Sequence, residues 1–258
     1  AIPSMLGKLT SLRYLNLSYN NINGAIPSSF DQLKGLYSLD LSNNNLYGTI
    51  PRALGKLSTL AEMDLSSNKL NGPMPGVLGQ MTGLYTLDLS SNKLSGTIPI
   101  TLGTLSNLQV LNLTSNKLNG AIPVTVGRLS SLYSMDFSSN QLNQPIPITL
   151  GNLSGLSYLD LSFNKLNGKI PVSLGKLSYL YVMDLSSNKL NGTIPPVLGQ
   201  LSSMWKLDLS SNKLKGTIPS ALGKLKGLQY LFLDTNDLNG SMPTAICSLK
   251  GSDSEMSG

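Results

Sequence analysis

The sequence predicts an α/β solenoid: a right-handed, curved superhelix with a parallel sheet on its concave side and short helical turns outside. One asparagine recurs every 24 residues, ten times, with no insertion, and a fixed period of about 20–50 residues is typical of solenoids. The same apolar pattern surrounds each asparagine, so no single turn can bury its leucines without its neighbours. The ten asparagines are Asn20, Asn44, Asn68, Asn92, Asn116, Asn140, Asn164, Asn188, Asn212 and Asn236.

A Leu-x-x-Leu-x-Leu pattern predicts one short concave strand in each turn. The second turn shows it as Leu36-x-x-Leu39-x-Leu41. Successive side chains of a strand point to opposite faces, so the last two leucines point inward together and the residues between them face solvent. Parallel strands lie about 4.8 Å apart, and ten turns therefore span roughly 45–50 Å.

The bend after each strand is predicted to be held by the recurring asparagine. Its amide offers two donors and an acceptor to backbone groups that turn inward, so we interpret all ten as structural. A glycine follows four residues later in nine turns, where a positive φ or a close backbone approach is expected. In the sixth turn Gln144 replaces this glycine and Pro145 follows, which predicts a local distortion.

The second half of each turn contains an Ile-Pro pair and then a short helical pattern. Proline fixes φ and withholds an N–H, which suits a second, edge-like extended segment. The following Pro-x-x-Leu-Gly-x-Leu predicts one helical turn on the outer side, ended by its glycine. We predict a ten-repeat domain over residues 1–249 and a polar tail over 250–258, with repeats that start near residues 12, 36, 60, 84, 108, 132, 156, 180, 204 and 228.

The combined pattern, Leu-x-x-Leu-x-Leu-x-x-Asn-x-Leu-x-Gly-x-Ile-Pro, resembles the leucine-rich repeat family in its plant-specific 24-residue subclass. Receptor-kinase ectodomains and polygalacturonase-inhibiting proteins belong to that subclass. The resemblance covers roughly residues 1–249. It implies a solenoid outside the cell that binds through an extended surface, and it implies paired cysteines in both caps. The chain departs from that last feature, since its one cysteine is Cys247.

Composition excludes several functional classes. The chain has no histidine and one cysteine, which removes the commonest general base, the commonest metal ligand and any cysteine zinc site. No apolar run reaches the roughly 18 residues of a membrane span. We therefore expect no enzyme activity, no cofactor, no metal site and no membrane span in this chain.

The basic residues are spread along the molecule. The net charge is +6, and one column of lysines follows the asparagines. A nucleic-acid site requires a concentrated basic patch, so we interpret the column as a solvated ridge and expect no nucleic-acid partner. Its members are Lys69, Lys93, Lys117, Lys165, Lys189 and Lys213.

The ends of the chain and its sequons indicate its context. The first residues, Ala1-Ile2-Pro3, match the middle of a repeat, so a preceding cap is expected. Cys247 replaces an outer-turn glycine, either as the first cysteine of a C-terminal cap whose partner lies outside this chain or as a buried free thiol. Five Asn-x-Ser/Thr sequons suit a secreted glycoprotein and predict an extracellular or cell-surface location. The candidate glycosylation sites are Asn16, Asn112, Asn152, Asn191 and Asn239.

One outward column of the concave strands is mostly acidic. Carboxylates about 5 Å apart in register repel and raise each other's pKa, and hydroxyls of serines two residues along can hydrogen-bond them. We interpret this column as a generic part of the repeat, with a site for a cation or a basic ligand as the alternative. The column reads Asn16, Asp40, Asp64, Asp88, Asn112, Asp136, Asp160, Asp184, Asp208 and Phe232, and holds seven of the thirteen acids.

Aromatic residues collect on the same concave face. Exposed rings on a rigid scaffold suit protein interfaces and sugar-binding surfaces, while packing between neighbouring turns is the alternative. Acids and aromatics coincide in turns six to nine, and a glycan at Asn112 would push a ligand toward that half. Trp205 is expected to contribute most to binding. The predicted ligand-binding residues are Tyr133, Asp136, Tyr158, Asp160, Phe163, Tyr181, Asp184, Trp205 and Asp208.

Three functions are compatible with these features. We favour an extracellular recognition module that binds a protein or peptide on its concave face. The paired arginines that hold a peptide carboxylate in receptor ectodomains of this type are not found. One alternative is a structural subunit that self-associates end to end, suggested by the near-identical repeats.

The third function is a cell-wall glycan- or ice-binding protein, with a polysaccharide as partner in the first case. Ice binding favours a flat, ordered face that is often built of threonines. A threonine column is present but interrupted. It reads Ala25, Thr49, Pro73, Thr97, Ala121, Pro145, Lys169, Thr193 and Thr217.

Overall fold

The computed structural model describes residues 1–249 and the backbone of residues 255–257. Each turn follows one path: a three-residue strand, a tight bend, a second short strand in most turns and a 3-10 turn. This architecture is the predicted α/β solenoid, with parallel sheets and short helical turns.

The first sheet is continuous along the whole solenoid and entirely parallel. Each strand is paired in register with the strand 24 residues later, as Leu39 is with Met63 and Asp40 with Asp64. We call its solvent-facing side the concave face. The strands are Tyr14–Asn16, Ser38–Asp40, Glu62–Asp64, Thr86–Asp88, Val110–Asn112, Ser134–Asp136, Tyr158–Asp160, Val182–Asp184, Lys206–Asp208, Tyr230–Phe232 and Glu255–Ser257.

The last of these strands lies within the predicted polar tail. Glu255–Ser257 pairs in parallel with Tyr230–Phe232. The other residues of that tail, 250–254 and 258, lie outside the described part of the chain.

The second sheet is interrupted. Its first part has six strands, Asn23–Gly24, Asn45–Gly48, Lys69–Pro73, Lys93–Thr97, Lys117–Gly120 and Gln141–Leu142. Its second part has three strands, Asn191–Gly192, Lys213–Thr217 and Asp237–Asn239. In turn seven only an isolated bridge joins Lys169 to Asn191. The distortion expected at Gln144 is therefore found, and it breaks the sheet between turns six and eight.

Glycine explains where the second sheet is regular. The nine glycines of the predicted column have φ between +73° and +98°, a region that residues with a side chain disfavour. Gln144 is not among the residues with positive φ, so turn six leaves the shared path at that point. Pro145 alone does not explain the break, because Pro73 occupies the same position after Gly72 and ends a five-residue strand.

The outer side is formed by ten 3-10 turns and one α-helical turn. The 3-10 turns are Ser4–Lys8, Ser28–Gln32, Arg52–Lys56, Gly76–Gln80, Ile100–Thr104, Val124–Arg128, Ile148–Asn152, Val172–Lys176, Pro196–Gln200 and Ser220–Lys224. The α-helical turn is Thr244–Cys247.

The prediction that a glycine ends each outer turn is wrong. Gly127 lies one residue before the end of its turn, and it is needed for a different reason. A Cβ atom at Gly127 would clash with the carbonyl oxygen of Thr149 in the next turn. The glycine therefore permits close packing of neighbouring turns.

Cys247 stands in the same column, and its thiol is exposed. The buried-thiol interpretation is therefore wrong. In earlier turns the residue at this position is covered by the next outer turn, as Gly223 is by Ala245. No further outer turn covers Cys247 within the described residues.

The core is a single apolar column inside the solenoid. The leucines of every interior turn are fully buried and form one continuous cluster with the isoleucines of the Ile-Pro pairs. The asparagine ladder closes the bend above it. Asn116 donates to the carbonyl oxygens of Leu89 and Leu113 at 2.9 and 3.2 Å, and accepts from the N–H of Leu94 at 2.9 Å. These bonds support the structural interpretation of the ladder.

Candidate functional site

The acid column of the concave face is built into the backbone. All seven aspartates accept the backbone N–H of the residue two positions later through Oδ1, at 2.8–3.1 Å. Asn112 makes the same contact to Thr114. Each aspartate therefore uses one oxygen to hold its turn and presents Oδ2 to the face. The sequence indicated the serine hydroxyls, and within the described residues those of Ser138, Ser186 and Ser210 donate to the carboxylate at 2.7 Å.

The bend includes a residue that the sequence pattern did not reveal. The residue before each ladder asparagine has φ between +51° and +56° in all ten turns. Serine and asparagine fill most of these positions, and asparagine is among the residues that tolerate the left-handed region best. Phe163 and Tyr19 also occupy this position, so their rings are held away from the strand column.

Burial and neighbouring charges perturb two carboxylates. Burial raises the pKa of Asp160, and the charges of Asp184 and Asp136 raise it further, against the hydrogen bonds from Ser162. Burial likewise raises the pKa of Asp64, with smaller contributions from neighbouring aspartates. The predicted mutual effect of the acids is present, but burial is the larger cause.

Lys206 is the one cation within the described residues that forms an ion pair with the acid column. Its Nζ lies 2.8 Å from Oδ2 of Asp184 and 3.6 Å from Oδ2 of Asp208. Burial lowers the pKa of Lys206, but the hydrogen bond and the charges of both aspartates outweigh it, and the net shift is upward. Sequence reasoning missed this residue. Its signal was a lysine two positions before an acid on the same face of a strand.

Four aromatic rings form a continuous stack beside this ion pair. Tyr181 lies parallel to Trp205 with ring centroids 5.3 Å apart, and Trp205 meets Tyr230 edge to face at 4.5 Å. Tyr230 then stacks on Phe232 at 6.3 Å, and Nζ of Lys206 lies 5.8 Å from the Phe232 ring. We call Tyr181, Asp184, Trp205, Lys206, Asp208, Tyr230 and Phe232 the C-terminal patch.

The indole of Trp205 is fixed by a second contact. Its Nε1 donates to Oε1 of Gln229 in the next turn at 2.9 Å. A ring held by one stacked neighbour, one edge-to-face neighbour and a hydrogen bond loses little freedom when a ligand covers it. Gln229 and Phe232 were not predicted as site residues, since their role depends on side-chain contacts between turns.

The predicted ligand-binding residues divide into three groups. Four of them, Tyr181, Asp184, Trp205 and Asp208, belong to the C-terminal patch. Tyr158 and Asp160 lie in the preceding turn, where the phenol donates to Oδ2 of Asp160 at 3.3 Å and burial and the acid charges raise the tyrosine pKa.

The remaining three stand apart from the stack. Tyr133 and Phe163 are 48% and 62% exposed and make no ring contact with another aromatic residue in residues 1–249. Asp136 bonds within its own turn to Ser138. The ring contacts therefore centre on turns eight to ten rather than six to nine.

The N-terminal half of the concave face differs. Its acids, Asp40, Asp64 and Asp88, make no ion pair within the described residues. Its one aromatic contact joins Tyr14 and Tyr37 at 5.8 Å. This half presents negative charge and exposed tyrosines that form one ring contact.

The sequons differ in how accessible their amides are. Asn112 donates through Nδ2 to Oδ2 of Asp88 at 2.9 Å, so a glycan there would displace a contact of the acid column. Asn16, Asn152, Asn191 and Asn239 are exposed and remain the better candidates for glycosylation.

The described residues contain neither a cluster that could hold a metal ion nor a helix that could span a membrane. No three side chains of histidine, cysteine, aspartate and glutamate within them lie close enough to hold a metal ion. No helix among them is both long and apolar enough to cross a membrane.

Comparison with protein families identifies the repeats as leucine-rich repeats. The family described as a leucine-rich repeat region matches residues 3–142, and two further leucine-rich repeat families match residues 155–177 and 178–238. No curated protein sequence matches the chain.

Solved structures give the same result. A TDR receptor is 37% identical with a TM-score of 0.94, over 96% of this chain and 43% of the receptor. The Arabidopsis receptor kinase HAESA, in complex with the peptide hormone IDA and the co-receptor SERK1, is 35% identical with a TM-score of 0.73, over 92% of this chain and 44% of that chain. The chain thus spans less than half the length of these receptors.

A third structure is matched over most of its length. A plant ice-binding protein is 33% identical with a TM-score of 0.78, and the match covers 89% of this chain and 74% of that protein. With the 24-residue repeat, the two parallel sheets and the family matches together, the chain belongs to the leucine-rich repeat family.

Proposed function

We propose that this chain is an extracellular recognition module that binds a peptide or protein segment on its concave face. The observation that carries the proposal is the C-terminal patch, where four stacked rings adjoin one lysine held between two aspartates. Large aromatic residues that are packed and partly exposed are the side chains that contribute most at interfaces.

The charges of the face indicate the kind of ligand. Lys206 neutralises one of its two aspartates, and Asp160 and Asp136 extend the negative charge toward the middle of the molecule. Complementary charge steers association and selects partners. We therefore expect a ligand that places an apolar or aromatic side chain on Trp205 and basic groups along the acid column.

The relatives support this proposal. HAESA was solved with a peptide hormone and a co-receptor, and the PEPR1 structure, 32% identical over 96% of this chain, contains AtPEP1. Peptide or co-receptor binding by this chain, its location outside the cell and its lack of catalytic activity are parts of the same proposal. The absence of histidine adds to the last part, since histidine is the commonest general base.

The test is selection of linear peptides from a random display library on the immobilised chain. Selected peptides should bind Trp205→Ala at least about tenfold more weakly, since a central aromatic contributes about 2 kcal/mol or more. Lys93→Ala, on a different face, is the matched control and should bind like the wild type. Equal binding to Trp205→Ala, or loss in Lys93→Ala alone, would place the ligand elsewhere.

A second candidate function is ice binding, and one feature of the outer side favours it. Ile100, Val124, Ile148 and Val172 open four successive 3-10 turns and are 63–72% exposed. We call these four residues the outer stripe. It is more regular than the threonine column, which other residues interrupt.

Hydroxyl groups fix the spacing of the outer stripe. Thr125, Thr149 and Ser173 donate to the carbonyl oxygens of Ile100, Val124 and Ile148 at 2.6–2.8 Å. A repeated, uncharged and rigid row of this kind suits an ordered surface such as ice, and the plant ice-binding protein shares the fold.

Thermal hysteresis and inhibition of ice recrystallisation test this candidate. Ile148→Lys should abolish both effects, because it places a hydrated charge in the middle of the outer stripe. Asn119→Lys adds the same charge on another face and should preserve them. No effect of the wild-type chain on ice growth would exclude this candidate and leave the first proposal untouched.

A further inference from the structure

A row of lysines on the second sheet forms a surface that the proposed function does not use. Lys69, Lys93 and Lys117 each begin a strand of four or five residues and point to solvent, while the leucine that follows each of them is buried. We call this row, with its neighbours Tyr47, Asn71, Ser95 and Asn119, the lateral ladder.

The ammonium groups of the lateral ladder have no acidic partner. Lys69, Lys93 and Lys117 make no ion pair and no side-chain hydrogen bond with residues 1–249. The strands that carry them contain no aspartate or glutamate, and the nearest acid column belongs to the concave face. Positive charges repeated without counter-charges attract a polyanion.

The spacing is constant because the sheet is regular here. Asn71 is paired with Lys93, and Ser95 with Lys117, at the same offset of 22 residues. Each lysine therefore lies beside an amide or hydroxyl of the previous turn at about 5 Å. Successive lysines are also displaced by two residues along the strands, so they recur at roughly 8 Å. The strands belong to the unbroken six-stranded part of the second sheet.

An aromatic residue stands at one end of the row. Tyr47 is paired with Lys69 in the sheet, and its ring is more than half exposed. An exposed tyrosine presents an apolar ring face and a polar hydroxyl, which suits the apolar face and hydroxyl groups of a sugar ring.

We propose that the lateral ladder binds a linear carboxylated polysaccharide, a polyuronate with one carboxylate per sugar ring. The lysines contact carboxylates along the chain. Asn71, Ser95 and Asn119 hydrogen-bond the ring hydroxyls between them, and Tyr47 stacks on a terminal ring. The alternation of cation and neutral hydrogen-bonding group matches a chain in which every unit carries both a charge and hydroxyls. A nucleic acid offers several bases to stack, and the ladder has one ring to receive them.

The structure limits the site to turns three to five. Gln141 interrupts the lysines in turn six, and the sheet itself ends at Leu142. Beyond the break the sequon at Asn191 lies on the same side, paired with Lys213, so a glycan would cover that segment. The ligand segment is thus the length that spans the three lysines, roughly 16 Å.

The test measures binding of sodium polygalacturonate and alginate to the whole chain by calorimetry and affinity electrophoresis. The triple variant Lys69→Gln, Lys93→Gln, Lys117→Gln should bind at least about tenfold more weakly. Lys8→Gln, Lys176→Gln, Lys224→Gln removes the same charge from exposed positions of the outer turns and should bind within about threefold of the wild type. Tyr47→Ala should weaken binding without changing its salt dependence, since exposed charges alone are screened by salt.

Defined oligomers sharpen the result. Affinity for oligogalacturonides should rise steeply until the oligomer spans all three lysines and then level, and a neutral galactan should not bind. Equal loss in both triple variants would indicate non-specific charge attraction and overturn the proposal. No binding of polyuronate by the wild type, or tighter binding of single-stranded RNA at the same salt, would overturn it too. The triple lateral variant should still bind the selected peptides, so failure here is separate from failure of the concave-face proposal.

Discussion

The two sheets of this molecule are built from the same repeat, yet one is continuous and the other is broken. The first sheet joins all its strands without interruption, whereas the second divides between turns six and eight. Along the first sheet, an aspartate or asparagine accepts a backbone N–H and holds the bend in nine of the ten turns. Along the second, nine turns carry a glycine with positive φ, and the break follows the one turn that lacks it.

The difference shows that a repeat position tolerates substitution when more than one residue type can make the required contact. It does not when one residue type alone adopts the required backbone conformation. Asparagine replaces aspartate at Asn16 and Asn112 and keeps the same contact to the backbone. Glutamine replaces glycine at Gln144, and the strand of turn seven is lost. Four sets of variants test this comparison, from the largest expected effect to the smallest.

The asparagine ladder connects the two sheets, so its loss should have the largest effect. Asn116 binds carbonyl oxygens next to the first sheet and the N–H of Leu94 in the second. Asn116→Ala leaves these buried groups without partners and should lower the free energy of unfolding by about 1–3 kcal/mol. Urea unfolding measures it.

Asn119→Ala is the control in the same turn. Asn119 is exposed on the second sheet, and its replacement should change stability by less than about 0.5 kcal/mol. An equal, small effect of both variants would contradict a ladder that ties the sheets together.

The glycine column should rank second. Gly120 has φ of +74°, and a Cβ there would lie 3.0 Å from Cγ2 of Thr97. Gly120→Ala should cost about 1–2 kcal/mol because of the left-handed backbone. Gly155→Ala, at an exposed glycine without positive φ where a Cβ would lie 3.8 Å from the carbonyl oxygen of Leu132, should be tolerated. A variant at Gly120 as stable as the wild type would mean that positive φ is not what maintains the second sheet.

The break itself can be repaired. Gln144→Gly gives turn six the residue found in nine other turns and should add about 0.5–1 kcal/mol of stability, in the range of a corrected local conflict. Amide hydrogen exchange should slow at residues 164–169 as the missing strand forms. Pro145→Thr alone should have little effect, because Pro73 is accommodated after Gly72. Unchanged exchange in Gln144→Gly would assign the break to another cause.

The acid column should give the smallest effect, and its sign depends on pH. Burial and the neighbouring acids raise the pKa of Asp160 in the folded state, so the folded protein binds this proton more tightly than the unfolded chain. Its contribution to stability is present below the ordinary value of 3.8 and lost as pH rises through the folded value. Asp160→Asn keeps an oxygen for Ser162, and at neutral pH it should be more stable by about 0.2–1 kcal/mol.

Asp31 provides the opposite case. The hydrogen bond from Lys56 lowers the pKa of Asp31, so its contribution is present above the ordinary carboxyl value and lost on acidification through the lowered value. Asp31→Asn should therefore be less stable than the wild type at neutral pH, and the deficit should vanish in acid. Thermal unfolding of both variants between pH 2 and 7 compares the signs. The same sign for both would contradict the assigned causes.

The fold was predictable from the sequence because its determinants recur ten times. One residue type at one repeat position specifies each determinant: the inward leucines, the ladder asparagines and the positive-φ glycines. The distortion at Gln144 was expected because glutamine replaces the recurring glycine there. The role of the outer glycines was not predictable in the same way. The sequence around Gly127 resembles the end of a helix. The position requires glycine because a Cβ atom there would clash with the carbonyl oxygen of Thr149 in the next turn.

The candidate site was less predictable than the fold. The column of aspartates could be predicted from the repeat. The hydrogen bond that each aspartate accepts from a backbone N–H could not, because it depends on a left-handed residue such as Ser67. No periodic signal in the sequence marks that residue. The contacts of Lys206 and the stacking of Trp205 on Tyr181 depend on side-chain rotamers chosen between neighbouring turns. The sequence therefore places these residues on the concave face but does not identify the side chains that they contact.

The strictly local bonding of the turns has a mechanical consequence. Within residues 1–249, elements contact only elements of the adjacent turns, and the ladder amides bond to backbone groups one turn away. Pulled from its ends, such a chain resembles a coil spring whose links are in series, and it should yield turn by turn. Each turn of 24 residues would release at most about 80 Å of extended chain, and a force spectrum should show this interval as a repeated sawtooth.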